Sequence, residues 1–301
     1  MKPLVSCFLV VLATCALSKS AERRPKITGI DHVEFLTTAP QETDHLFVTV
    51  LGLSAADPLE SEQTQRYTVG TQWIGFRPAP DAKVNNRMDH VAFSTEDCQA
   101  LRSYLSGKGI KADAIEQLKD GSHRFMVKDP DGHIIEFRQQ EKPASPAAAK
   151  GDPVSRRMIH AGFIVRDRTA EDHFYLDILG FRPYWHGGMQ PDRTDWVSLQ
   201  VPDGSDWLEY MLSAPASPDL RVSGVLNHLS LGVRDMKQAQ AKLESHGWPP
   251  HGVNEQPKIG KDGKWQLNLY DPDLTRVELM EFKPVEKPCC SEFQAPHPEE
   301  P

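Results

Sequence analysis

A short apolar segment carrying one histidine recurs four times along the chain: GIDHVEFL at 29–36, RMDHVAFS at 87–94, RMIHAGFIV at 157–165 and VLNHLSLGV at 225–233. A repeated unit constrains a fold strongly, because one packing solution has to serve every copy. After the first and third copies come helix-like runs closing on Leu-Gly, TDHLFVTVLGL (43–53) and AEDHFYLDILGF (170–181). After the second and fourth come amphipathic runs, DCQALRSYLSGKGI (97–110) and DMKQAQAKLESHGW (235–248), again closed by glycine, a helix C-terminal signal. The unit ends match as well. TQWIGFRPAP (71–80) aligns with SDWLEYMLSAP (205–215), and KDPDGHIIEF (128–137) with YDPDLTRVELMEF (270–282), each of the latter a turn followed by an alternating strand. The pattern predicts an α+β chain of tandem βαβββ modules.

Strand alternation then assigns faces. In LNHLSLGV the leucines and Val233 share one side and His228, Ser230 and Gly232 the other. Likewise Glu136 opposes Ile135 and Phe137, Glu278 opposes Val277 and Leu279, and Glu209 opposes Leu208 and Tyr210. With the apolar side packed on helices, these polar groups are expected on the opposite, open face, where they could converge. A single strand histidine is more often a hydrogen-bonded side chain than a ligand, and a single strand glutamate is usually solvated. Recurrence at one register argues for more, though copies made by duplication are not independent. Imidazole and carboxylate together suit Zn, Ni, Mn or Fe(II), so a divalent metal is expected.

The 301 residues suffice for two domains. A net charge of −8 argues against a nucleic-acid partner, which would call for a basic face. Lys2 followed by the apolar run from Leu4 to Leu17, with Ala16 and Ser18 at the −3 and −1 positions, reads as a signal peptide over 1–18, implying export to the periplasm or outside the cell. The run is too short for a stable membrane span. Leu12-Ala13-Thr14-Cys15 resembles a lipoprotein box, with Thr14 a poor fit. Cys98, Cys289 and Cys290 would remain after cleavage, which is not a disulfide framework. A Pro/Ala-rich linker (142–156) separates domains at 26–141 and 157–283, and the Pro-rich acidic tail (284–301) is expected to be disordered.

Repeated βαβββ modules with histidine on the first strand and a DPD turn before the last glutamate strand resemble the vicinal oxygen chelate superfamily, which holds glyoxalases, bleomycin resistance proteins and extradiol dioxygenases. The resemblance implies that two modules pair into a cup-shaped mixed sheet in each domain, helices outside, with metal held by first and last strands. Carried over position by position, the C-terminal half has His160, Glu209, His228 and Glu278, matching the four-ligand set of glyoxalase I-like enzymes. The N-terminal half has His32, His90 and Glu136, with Gly75 standing where Glu209 stands. Those three resemble the two-His-one-carboxylate triad of Fe(II) oxygenases, or a site that has decayed.

The resemblance implies Lewis-acid isomerase, epimerase or lyase chemistry on a small oxygen-chelating substrate, with Glu209 and Glu278 as ligand and general base in turn. The alternatives are an extradiol-type Fe(II) dioxygenase and a non-catalytic binding or resistance protein; a homodimer stays open. Extradiol enzymes of the family carry a tyrosine three residues before the Asp of the DP turn, where this chain has Asn268 and Met126, which counts against ring cleavage. Glyoxalase I itself acts on a cytosolic glutathione adduct, which an exported protein would rarely meet. His123, His186 and Tyr270 are candidates to line a site but read more readily as exposed loop or strand positions, Trp196 and Trp207 read as core or cup wall, and Arg138 and Arg276 flank the glutamates.

Overall fold

The structure is a computed structural model describing residues 23–59, 64–141, 151–248 and 255–300. The leader 1–18 and linker residues 142–150 lie outside the described residues. The βαβββ unit appears four times. The first module runs β1 (Ile27–Thr37), α1 (Pro40–Asp44, continuing as a π-helical turn over His45–Val50), β2 (Ser54–Ala56), β3 (Gln65–Val69) and β4 (Gln72–Pro78). The second comprises β5 (Met88–Thr95), α2 (Cys98–Gly107), β6 (Glu116–Gln117), β7 (His123–Lys128) and β8 (Ile134–Gln139). The third has β9 (Met158–Ile164), α3 (Arg168–Asp172, continuing over His173–Ile178), β10 (Arg182–Gly187), β11 (Trp196–Gln200) and β12 (Trp207–Met211). After an unexpected short helix α4 (Leu220–Leu226), the fourth comprises β13 (His228–Val233), α5 (Met236–Ser245), β14 (Lys258–Ile259), β15 (Trp265–Tyr270) and β16 (Arg276–Glu281). The helix-closing glycines Gly52, Gly109, Gly180 and Gly247 all have positive φ, where a side chain would be strained.

Two modules form each eight-stranded sheet, in the orders β2-β3-β4-β1-β5-β8-β7-β6 and β10-β11-β12-β9-β13-β16-β15-β14. At the centre, first strands run antiparallel (β1 with β5, β9 with β13), and each is flanked by the parallel last strand of its own module. The four histidine strands therefore lie beside the four strands that end the modules. Val33, Phe35, Val91 and Phe93 in one sheet, and Ala161, Phe163, Leu229 and Leu231 in the other, face one apolar core shared with the helices.

The halves join through reciprocal contacts. Gln72 accepts from Met158 N and donates to its carbonyl, while its counterpart Asp206 accepts from Ile30 N. The two DPD turns act alike: Asp131 accepts from Arg166 N, and Asp273 accepts from the backbone and hydroxyl of Thr38. Each half thus satisfies backbone groups that the other leaves open.

The tail corrects an expectation. Rather than being disordered, residues 284–300 fold back along β10. Gln294 N donates to Tyr184 O, Trp185 Nε1 to Cys289 O and Gln200 Nε2 to Pro296 O, while Phe293 packs on Tyr184 at 4.9 Å between ring centres. A polar, Pro-rich composition cannot fold alone, but Phe293 and Ala295 find an aromatic platform supplied by a distant strand. Cys289 and Cys290 are disulfide-linked to each other, and Cys98 is buried and free.

Candidate metal centre

Two clusters of imidazole and carboxylate form, one per sheet. In the C-terminal sheet His160 on β9, Glu209 on β12, His228 on β13 and Glu278 on β16 converge. The facing nitrogens, His160 Nε2 and His228 Nε2, are 3.1 Å apart. Glu278 Oε2 lies 3.4 Å from His160 Nε2, and Glu209 Oε2 lies 3.5 Å from His228 Nε2. In the N-terminal sheet His32 Nε2 and His90 Nε2 are 3.0 Å apart, with Glu136 at 4.0 and 3.6 Å from them. All seven residues named from the sequence are brought into these two clusters.

They are not on an open face, as alternation alone suggested. The histidines, Glu136 and Glu278 are essentially inaccessible, and only Glu209 keeps a side-chain exposure of 13%. Sheet curvature and aromatic walls close the cups: Trp73 stacks on His32 at 3.7 Å and Trp207 lies against His160 at 4.7 Å. Trp207 is thus a cup-wall residue, while Trp196 packs at the edge of the same aromatic cluster.

Three of the four rings are anchored on their far side, while His160 Nδ1 has no hydrogen-bond partner among the described residues. His32 Nδ1 pairs with Asp31 at 2.8 Å, His90 Nδ1 with Asp89 at 2.7 Å and His228 Nδ1 with Leu226 O at 3.0 Å. A ring that donates through Nδ1 presents the Nε2 lone pair to the cluster, the tautomer a metal needs. Arg276 reports the same polarity, since its NH2 lies 2.6 Å from His228 Nε2 and donates there, with NH1 3.7 Å from Glu278. A guanidinium answers the cluster's excess of acceptors. These donors, buried and rich in lone pairs, fit a divalent cation of the Zn, Ni, Mn or Fe(II) kind.

Electrostatics follow burial. His160 and His228 are held well below the ordinary imidazole value by burial, reinforced by Arg276; His32 falls to about 3 by burial despite Asp31. Burial lifts Glu209 and Glu278 to about 7, with Arg276 opposing. His90 differs: burial alone would push it down, yet Asp89, Glu136 and Glu34 hold it above the usual value.

Sequence reading missed two residues here. Lys264, fully buried beside Trp207 at 4.6 Å, is brought down to about 8 by burial, with Asp262, Glu278 and Glu209 opposing. It precedes β15 in a DGK turn that carries no apolar periodicity, so nothing local marks it. Glu34 was visible, two positions after His32 and hence on its face. It is the cross-strand partner of both Gly75 and His90, and its carboxylate hangs over Gly75, where an added Cβ would lie 3.1 Å from Glu34 Cγ. Arg77 bridges Glu34 and Asp89. In the other sheet the pair is inverted: Glu209 faces Gly162, and the His228 ring occupies the space a Gly162 side chain would need.

Other named residues stay outside the clusters. Arg138 pairs with Asp31 and Asp120, and His186 is held through its backbone by Ser291. His123 pairs with Gln139 across β7 and β8, and Tyr270 with Arg276 across β15 and β16.

Two closed cups of paired βαβββ modules, each lined by histidine and glutamate from first and last strands, define a tandem vicinal-oxygen-chelate architecture. The comparisons agree: models of the Glyoxalase/Bleomycin resistance protein/Dioxygenase superfamily match residues 29–137 and 159–267, and the chain belongs to that superfamily. Sequence comparison with curated proteins gives no match. Among solved structures, the Mn(II)-bound glyoxalase from Novosphingobium aromaticivorans superposes with a TM-score of 0.66 at 17% identity over 90% of this chain and 86% of that one. Homoprotocatechuate 2,3-dioxygenase from B. fuscum gives 0.63 at 17%, over 86% and 72%. The 2,3-dioxygenase LapB from Pseudomonas sp. KL28 gives 0.63 at 15%, over 88% and 99%. At these identities the likeness is one of fold. Among the described residues no helix is long and apolar enough to cross a membrane.

Proposed function

We propose that this protein is a divalent-metal-dependent enzyme whose C-terminal cup grips a small substrate through neighbouring oxygens and catalyses isomerase, epimerase or lyase chemistry. The observation that carries it is the convergence of two imidazoles and two carboxylates, His160, His228, Glu209 and Glu278, from four strands. A bound metal would supply Lewis acidity toward substrate oxygens. The chain's own residues do the rest. Leu226 and Arg276 orient His228, and Trp207 fixes His160. Glu209, the one member with access to solvent, is placed to move a proton at its Oε2. Trp207, Tyr184 and the tail exclude water. Export after cleavage of the leader is part of this reading.

A second reading, an Fe(II) dioxygenase using His32, His90 and Glu136, has the support of the dioxygenase neighbours. Against it stand the second carboxylate, Glu34, beside His90, and Asn268 and Met126 before the two DP turns. Elemental analysis of freshly purified protein separates the two. Ni, Zn or Mn, with turnover of α-hydroxycarbonyl or hemithioacetal substrates, supports the first. Iron with oxygen uptake on catechols replaces it with the second. Tight binding of an aromatic drug by metal-free protein without turnover would leave only a binding function.

A further inference from the structure

Away from both cups, a third group of metal-donor side chains sits where the halves meet. Asp129 and His133 belong to the DPDGH turn between β7 and β8; Glu171 comes from α3 of the other half. One donor atom from each lies within 4.8 Å of the others. His133 Nδ1 is 2.7 Å from Asp129 Oδ2, and its ring is stacked on Phe163 at 4.1 Å, so the imidazole is fixed. Tyr175 donates its hydroxyl to the same Asp129 oxygen at 3.2 Å.

The group holds an unsatisfied acceptor. Glu171 is wholly buried; one oxygen accepts from Asp131 N, and the other, Oε2, has no hydrogen-bond partner among the described residues. The Tyr210 hydroxyl is buried and without a hydrogen-bond partner among the described residues too, and burial, then Glu171, holds its proton on. Burial, then Asp129, push Glu171 up to about 8, with Asp131 and Asp167 adding their negative charge. An orphaned, fully buried carboxylate oxygen beside an imidazole and a second carboxylate is the condition in which a buried site calls for a cation.

Packing alone does not demand this trio. At the pseudo-equivalent interface the second DPD turn meets α1 with Asp271, Thr275 and Thr43 in the places of Asp129, His133 and Glu171. There Thr43 pairs its hydroxyl with Thr37 at 2.9 Å, and Asp271 takes the Thr275 backbone on one oxygen, its Oδ2 and the Thr275 hydroxyl being left without a hydrogen-bond partner among the described residues. The same turn thus docks on the same kind of helix without a second carboxylate or an imidazole.

We propose that Asp129, His133 and Glu171 form a binding site for a divalent cation of the Zn or Mn class, which staples the two halves together. One nitrogen and two carboxylates favour those ions over Ca, which takes oxygen ligands alone.

The test uses the full chain with both cups disabled (His32→Ala, His90→Ala, His160→Ala, His228→Ala), equilibrated with Zn or with Mn, desalted and analysed for metal. This variant is expected to keep one equivalent and to melt about 5 °C or more higher with metal than with chelator. Adding Glu171→Gln, which preserves shape and the bond from Asp131, should remove both the equivalent and the shift. Should either variant fail to fold, wild-type cups with His133→Ala, a partly exposed position, must bind one equivalent fewer than wild type. Metal content unchanged by Glu171→Gln and by His133→Ala, or no metal in the cup-disabled chain, would overturn the proposal in favour of a proton shared between Glu171 and Asp129. Because the cups are counted separately, that result leaves their metal chemistry intact.

Discussion

Glu34 lies directly across from Gly75 on neighbouring strands, and Gly162 lies directly across from Glu209 in the other sheet. One carboxylate per cup has therefore changed strands: where the last strand of the odd module offers glutamate, the first offers glycine, and the reverse. Sterics enforce the exclusion. A Cβ at Gly75 would press on Trp73 at 2.8 Å as well as on Glu34, and one at Gly162 would enter the His228 ring.

That relationship predicts coupling. Gly75→Glu alone overpacks the N-terminal cup and should cost about 1–3 kcal/mol. Combined with Glu34→Gly, it rebuilds the arrangement of the C-terminal cup and should regain at least half of that loss. Chemical denaturation of the two single variants and the double gives the interaction energy. Purely additive effects would mean the two positions do not share one space.

His228→Ala should lower the metal content of the purified protein by one equivalent, because it removes a ring whose Nε2 faces His160, Glu209 and Arg276. Gly162→Ala should weaken the same site about tenfold or more, a loss typical for disturbed ligand orientation, by displacing that ring without touching a donor. Elemental analysis and metal titration measure both. An unchanged stoichiometry in His228→Ala would remove the C-terminal centre.

In metal-free protein, stability should fall as pH rises from about 6.5 to 8. Burial raises Glu171 to about 8 and Glu209, Glu278 and Asp271 to about 7, so in this interval the native chain holds protons the unfolded chain has already released. Folded values above unfolded ones stabilise at low pH and lose that contribution as pH climbs through them. The depressed imidazoles His32, His160 and His228 act oppositely, but only below the unfolded imidazole value near 6.5. Lys264, brought down to about 8, opposes the fall only at and above that pH. A loss on the order of 1–2 kcal/mol is expected in chelator, and saturating Zn or Mn should flatten it, since a cation takes the protons' place. Urea melts at both ends of the interval decide the sign.

Phe293→Ala should release the tail. The ring is only partly buried, so the cost is about 1–2 kcal/mol, but it bridges Tyr184 and Lys264, and without it residues 284–300 lose their apolar anchor. Limited proteolysis should then cut after Lys283 or Lys287 several times faster than in the wild type. Equal rates would show that the tail is not docked in solution.

Much of this molecule was legible in one dimension. The repeat of His32, His90, His160 and His228, the DPD turns and the closing glycines determined four βαβββ units, because side-chain period and backbone strain are local properties that a chain carries wherever it goes. Alternation also put Glu136, Glu209 and Glu278 on the histidine side. What it could not determine was depth: whether that side is open depends on sheet curvature, on Trp73 and Trp207 and on a tail arriving from the far end, none of which is encoded near the residues it covers. Lys264 joins its cluster only because a β14–β15 turn folds over Trp207, and Glu171 meets Asp129 only because two halves dock. Tertiary structure alone decided those meetings, since the energy of a buried charge depends on neighbours in space, and sequence order does not rank them.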